Sequence, residues 1–183
     1  LEASGYSVTA KVLNSSDYGN VPQNRERIYI IGFRRKGVAK RFEWPEPIPL
    51  DGKLSQYVSF QKKMPAKYYY TDERPFWNIL EGEVTKSQTM YQWRRKYVRQ
   101  NMSGVSPTLT ANMGMGGHNV PIIKTRYGIR KLTPRECFNL MGFPKDFVLP
   151  SDLADSQLYK QAGNSVVVPV IRRLAEQLSS AMT

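Results

Sequence analysis

The chain has 183 residues, with 27 Lys and Arg against 15 Asp and Glu, a net charge of +12 that favours a polyanionic partner such as nucleic acid. Its longest apolar run is too short to cross a bilayer, and no secretory signal, internal repeat, Ser-His-Asp order or Gly-rich phosphate loop is legible in it. One cysteine, Cys137, excludes an internal disulfide and fits a reducing compartment, and one histidine, His118, excludes a Cys2His2 zinc site.

Leu1 to Ser4 reads as the last turn of a helix, with Gly5 as its left-handed cap. Tyr6, Val8, Ala10 and Val12 alternate with Ser7, Thr9 and Lys11, which predicts a half-buried strand near a sheet edge. The next stretch, NSSDYGNVP, is dense in turn formers and predicts a loop. QNRERIYIIGFRR then passes from polar to apolar without a break. In an extended chain Gln23, Arg25 and Arg27 share a face with Tyr29, Ile31 and Phe33, while Ile28 and Ile30 take the other. A strand apolar on both faces predicts burial on both, as in a layered α/β sheet. The arginines stand at its mouth, either solvated or aimed at a polyanion. Two strands joined by a long loop are not a stable sheet, so the chain is expected to begin inside a larger α/β domain.

Proline-rich Glu43 to Gly52 reads as a linker. From there to Ile123 the sequence is irregular, aromatic and basic. KYYYTDERPFWNIL predicts a short strand, a turn and a short helix. YQWRRKYVRQN sets Arg94, Arg95, Lys96 and Arg99 among Tyr91, Trp93 and Tyr97, and Gly114, Gly116 and Gly117 follow closely. The run is either a solvated face over a small aromatic core or a basic loop beside glycines that let backbone approach a DNA groove.

RKLTPRECFNLMGFP carries the clearest local grammar. Thr133 is an N-cap, Pro134 the first helical residue, Glu136 completes a capping box, and Gly142 and Pro144 stop the helix. Leu132 and Cys137 hold the staple positions around that cap, so Cys137 reads as a core residue rather than a nucleophile. In the last stretch Asn164 or Ser165 is expected to cap a final helix over 166–182. Its apolar stripe is Val167, Val170, Ile171, Leu174, Ala175 and Leu178.

Three of these segments, PQNRERIYIIGFR, RKLTPRECFNLMGFP and QAGNSVVVPV, resemble in order and spacing the last three conserved motifs of DNA (cytosine-5) methyltransferases. Thr108 and Leu109 resemble the Thr-Leu pair of that family's target-recognition domain. The resemblance implies an α/β fold: the terminal part of a doubly wound, S-adenosylmethionine-dependent methyltransferase domain plus a small, irregular, strand-rich recognition domain. It assigns 1–44 to the end of the catalytic domain, 45–150 to the recognition domain and 151–183 to a helix returning to the catalytic domain.

The resemblance also implies residue roles. Arg27 matches the arginine that hydrogen-bonds the cytosine carbonyl, and Arg25 the one near the target's backbone. Asn164, Ser165 and Val166 match the segment lining the S-adenosylmethionine pocket, and Phe143 an aromatic bordering it. Arg94, Arg95, Lys96, Arg99, Thr108, Leu109, Gly116 and Gly117 are the expected contacts to double-stranded DNA. The family's cofactor loop, Pro-Cys nucleophile and Glu-Asn-Val motif have no counterpart in these residues. The chain is therefore expected to act with a catalytic half carried in the same chain or a separate subunit, to be inactive and prone to self-association alone, and to work on DNA in a prokaryotic cytoplasm within restriction–modification. Two other readings stand beside this one: a non-catalytic DNA-targeting subunit that keeps the scaffold, and a basic RNA-binding domain, for which no aromatic platform motif is present.

Overall fold

Asn14 turns the first strand into a helix. β1 (Ser7–Asn14) ends there, and the Asn14 side chain accepts from the Ser16 N–H to cap α1 (Ser15–Gly19), which closes on left-handed Asn20. The stretch expected as a loop is thus a short helix, its turn formers used as caps. The computed structural model describes residues 1–114 and 119–183; Gly116, Gly117 and His118 lie outside the described residues. At the start, a 3-10 turn over Glu2–Ser4 ends at Gly5, whose φ is 81°.

β2 (Glu26–Phe33) runs back antiparallel to β1, with Val12 opposite Ile28 and Ala10 opposite Ile30. Leu13 and Phe33 are buried on one face, and Tyr29 and Ile31 pack against the core there. The other face is open: Val12, Ile28 and Ile30 are 56%, 63% and 56% exposed. The expected burial on both faces is not met, because no described element covers that side. α2 (Lys36–Arg41) follows. The proline-rich segment after it is held rather than free, since Arg173 donates to the carbonyls of Tyr18 and Glu46, and Trp44 donates to Thr9.

A second sheet has the order β4-β3-β5-β6, built from β3 (Met90–Trp93), β4 (Val98–Gln100), β5 (Val120–Thr125) and β6 (Gly128–Lys131), all antiparallel. α3 (Leu54–Tyr57) and α4 (Trp77–Glu83) precede it. The strand expected near 67–70 is instead a 3-10 turn, Ala66–Tyr68, with one bridge from Tyr69 to Arg130; Tyr68 turns into the core there. The sheet separates two cores. Met90 and Ile123 join the larger, with Leu13, Leu109, Cys137, Leu158 and Val170; Tyr91, Trp93 and Ile122 join the smaller, with Leu80 and Val84.

α5 (Pro134–Leu140) has the expected capping box between Thr133 and Glu136. The Glu136 carboxylate also takes both terminal nitrogens of Arg130, at 2.7 and 2.8 Å, deep in the protein. A helix absent from the sequence reading, α6 (Asp155–Asn164), comes next. Asn164 is its last residue and Ser165 its C-cap, so neither caps α7 (Val168–Met182). α7 starts from Val167 without a side-chain cap, with Pro169 in its first turn, where the missing N–H costs nothing. Val167, Val170 and Leu174 bury, but Ile171 and Ala175 stay exposed, so the stripe is only half covered.

Candidate nucleic-acid interface

The three motifs meet where β2 begins. Gln23 is fully buried; its Nε2 donates to the Leu140 carbonyl at 2.7 Å, and its Oε1 accepts from the Leu109 N–H at 3.1 Å. Asn24 N–H donates to Ser106 O, Ser106 N–H donates to Pro22 O, and the Thr108 hydroxyl donates to Asn24 O at 2.7 Å. Residues 22–24 and 106–109 are therefore stitched side by side, which fixes the 106–109 segment to the strand mouth.

Arg25 extends the junction. Its Nη1 donates to the Leu109 carbonyl at 2.7 Å, and its Nη2 donates to the carbonyls of Gly163 and Ser165, each at 3.0 Å. Burial, with Arg27 nearby, lowers its guanidinium to about 10, so it remains a cation at neutral pH. The arginine expected at the target's backbone is thus enclosed, its donors spent on carbonyls whose partial charges solvate it. Gly163 is required at this crossing: a Cβ would stand 2.3 Å from the Ala111 amide nitrogen. Arg27, by contrast, is exposed, with one nitrogen on the Glu26 carbonyl at 2.6 Å.

Beside this junction lies a polar groove of about 210 Å³. Asn24 and Thr108 form one wall, and Gln92, Arg94, Arg99 and Asn119 the other. Arg94 and Arg95 open the turn of the β3–β4 hairpin and Lys96 continues it, with Arg95 at φ 69°. Arg94 donates to Gln92 Oε1 at 3.1 Å, and its N–H donates to the Tyr97 carbonyl. Lys96 and Arg99 are exposed, and Thr108 lines the groove. Leu109 is 1% exposed, a core residue; its N–H and its carbonyl are both engaged by the strand mouth while its side chain packs inward.

Asn164 and Val166 are exposed, while Ser165 is half-buried with its hydroxyl on the Ala162 carbonyl. The Val168 N–H just beyond them donates to the Met141 carbonyl at 2.9 Å. The Phe143 ring packs on Phe138 and Phe147 and lines a pocket of about 650 Å³ with Tyr57, Asn139, Lys145 and Pro169. The exposed Asn164 carboxamide and Val166 side chain fit one open wall of a site for a small molecule with polar and apolar parts, and no more than a wall. Cys137 is fully buried 4.0 Å from Met113 Sδ, and burial first, then Glu136, pushes its thiol up. Among the described residues no group of three or more His, Cys, Asp or Glu gathers to hold a metal, and no helix is long and apolar enough to cross a membrane.

Sequence reasoning placed Gln23 on the face of Arg25 and Arg27, read Gly163 only within the QAGNSVVVPV motif, and missed Gln92 and Asn119. The QAGN run was the one signal for Gly163; nothing in the sequence marks Gln92 or Asn119, which gain their place from sheet register.

The sequence profile of the C-5 cytosine-specific DNA methylases matches residues 1–180. The Type II methyltransferase M.Bsp6I of Bacillus sp. (strain RFL6) is 56% identical over 183 residues, which are 100% of this chain and 58% of that protein. M.SsoII of Shigella sonnei is 35% identical over 182 residues, 47% of its length. The chain thus spans about half the length of the curated relatives it matches. Among solved structures, Entamoeba histolytica EhMeth superposes with a TM-score of 0.68 at 18% identity, over 100% of this chain and 56% of that one. Spodoptera frugiperda DNMT2 superposes with a TM-score of 0.67 at 19% identity, over 98% and 60%. Both carry an α/β methyltransferase fold, the architecture shared here. With its profile matched almost end to end and its three motifs knotted around Arg25, the chain belongs to the C-5 cytosine-specific DNA methylase family.

Proposed function

We propose that these residues are the DNA-reading and pocket-completing part of a DNA (cytosine-5) methyltransferase of restriction–modification type, acting on double-stranded DNA in a bacterial cytoplasm. The observation that carries this is the convergence on Arg25 of carbonyls from the recognition segment (Leu109) and the QAGNSV segment (Gly163, Ser165). One buried cation holds the DNA-facing wall and the cofactor-facing wall in fixed relation. Residues 45–150 act as the recognition domain; 1–44 and 151–183 belong with the catalytic domain, a division supported by the packing of α7 on α1 and α2.

The target carbon of cytosine is shielded in the duplex stack, so the base must be extruded to react. Arg27, exposed at the strand mouth, donates to the carbonyl of the extruded cytosine and stabilises the negative charge that develops as a thiolate adds to the ring. Arg25 positions rather than reacts. Thr108 and Asn24 border the DNA groove, and Arg94, Arg95, Lys96 and Arg99 approach phosphates or bases. Asn164, Ser165 and Val166 supply one wall for S-adenosylmethionine, which when bound supplies the methyl group. The thiolate comes from outside these 183 residues, since Cys137 is buried and held as a thiol. The open Val12, Ile28 and Ile30 face is where the remaining sheet of the catalytic domain docks.

A labelled-methyl transfer assay on mixed plasmid DNA tests this, with the chain alone and with the corresponding catalytic half. Methylation at cytosine carbon 5 is expected only with both. Activity of the chain alone, or none with a folded complement, overturns the reading.

A further inference from the structure

The groove between Thr108 and the β3–β4 hairpin has a donor and acceptor pattern more particular than a basic surface. Its lining holds four carboxamides, two arginines, two threonines and one proline, and no carboxylate. That excludes a cationic ligand and an apolar one. The pattern suits the edge of a nucleobase, which offers both donors and acceptors.

One valence in it is unspent. Gln92 is 5% exposed and its Oε1 is taken by Arg94. Asn119 Oδ1 is buried with no hydrogen-bond partner among the described residues. A buried amide oxygen left unsatisfied is costly, and this one belongs to the groove. Arg99, on β4 at the sheet edge, directs an exposed guanidinium with no partner among the described residues into it. Arg99 pairs in register with Gln92 across the hairpin, so the guanidinium and the amide sit on neighbouring strands. β4 is the edge strand of the four-stranded sheet, so Arg99 stands on a rim that can approach the major groove.

We infer that this groove reads one guanine–cytosine pair of the target: Arg99 donates as a fork to guanine N7 and O6, and Asn119 Oδ1 accepts from the cytosine amino group. Gln92 Nε2 is a further donor to the same edge, and Arg94, braced by Gln92, holds it in place. The inference rests on the proposed function and adds to it the residues that set specificity. An adenine–thymine pair offers only one acceptor beside a donor on its purine edge, and leaves the second arm of Arg99 unpaired.

The test uses the full-length methyltransferase that contains this chain. The sequences it methylates in a random-duplex library are read by bisulfite sequencing for wild type, Arg99→Ala, Arg99→Lys and Asn119→Ala. Binding to the preferred duplex, and to the same duplex with 7-deazaguanine at each guanine in turn, is measured in parallel. Expected is one guanine whose 7-deaza form binds wild type roughly ten- to a hundredfold more weakly, with that penalty absent in Arg99→Ala. Arg99→Lys should relax the same position while keeping most affinity, because lysine retains charge but lacks the fork. An unchanged target in folded, active variants, loss spread evenly over all sequences, or relaxation at an adenine–thymine pair overturns the groove's role. No methylation of any DNA by the wild type would instead remove the functional reading beneath it.

Discussion

Arg25 Nη1 lies 2.7 Å from the carbonyl oxygen of Leu109, a residue 84 positions away in sequence. Its other terminal nitrogen reaches Gly163 and Ser165, 138 and 140 positions away. One side chain therefore closes three distant segments on each other, and what disturbs it should disturb the 106–111 and 163–166 segments together.

Arg25→Ala in the full-length enzyme leaves the carbonyls of Leu109, Gly163 and Ser165 unmet, at a cost of roughly 2–4 kcal/mol. The junction should open locally, so hydrogen exchange should accelerate at 106–111 and 163–166. S-adenosylmethionine and specific DNA should both bind more weakly. Loss of DNA binding with cofactor binding untouched would make Arg25 a DNA contact instead.

Arg27→Ala should lower the methyl-transfer rate by about two to three orders of magnitude and DNA affinity far less, as for a donor aimed at developing charge. Arg27→Lys should recover only part, since an ammonium lacks the planar fork. Single-turnover kinetics separate the two; equal losses in rate and binding would mark a phosphate clamp.

The hairpin tip is expected to meet phosphate. Replacing Lys96 and Arg95 with alanine should flatten the plot of log affinity against log salt by about 0.9 for each phosphate that is no longer neutralised. Fluorescence anisotropy over a salt series reads this directly, and an unchanged slope returns the tip to solvent.

Arg130 and Glu136 form a buried ion pair in which Glu136 also accepts from Thr133 and Ser59. Removing one partner strands a charge in the core, and Glu136→Ala should cost roughly 3–5 kcal/mol. Glu136→Gln keeps an acceptor for Thr133 and should cost less. Denaturant unfolding of the variants ranks them; equal losses would show that the charge, not the cap, carries the stability.

Cys137 is enclosed and its thiol is pushed up by burial. Iodoacetamide at mildly alkaline pH should leave it unlabelled in the native protein and label it on unfolding, because the thiolate is the reactive form. Cys137→Ala should still support methyl transfer in the full-length enzyme. Abolished transfer in a folded variant would reopen its claim to be the nucleophile.

Local rules alone determined a good part of this protein. The capping box at Thr133, the left-handed Gly5, the β1 and β2 strands and the burial of Cys137 depend on neighbours within a few residues or on periodicity, and all were legible in the sequence. The helix at Ser15–Gly19 was not, because the same turn formers serve loops and caps, and the choice depended on Asn14 meeting Ser16. α6 was missed because its short, polar run has weak periodicity; Leu158, Tyr159 and Ala162 become a face only when the core is there to receive them.

Tertiary structure decided the roles. In sequence Arg25 and Arg27 are alternate residues of one charged run; in the fold one is enclosed by carbonyls from two other segments and the other faces outward. Thr108 and Leu109, adjacent in the chain, divide between groove and core for the same reason. Sequence carries side-chain chemistry, but burial and partner choice are set by long-range pairing, and it is the carbonyls of two distant segments that enclose Arg25 and leave Arg27 in the open.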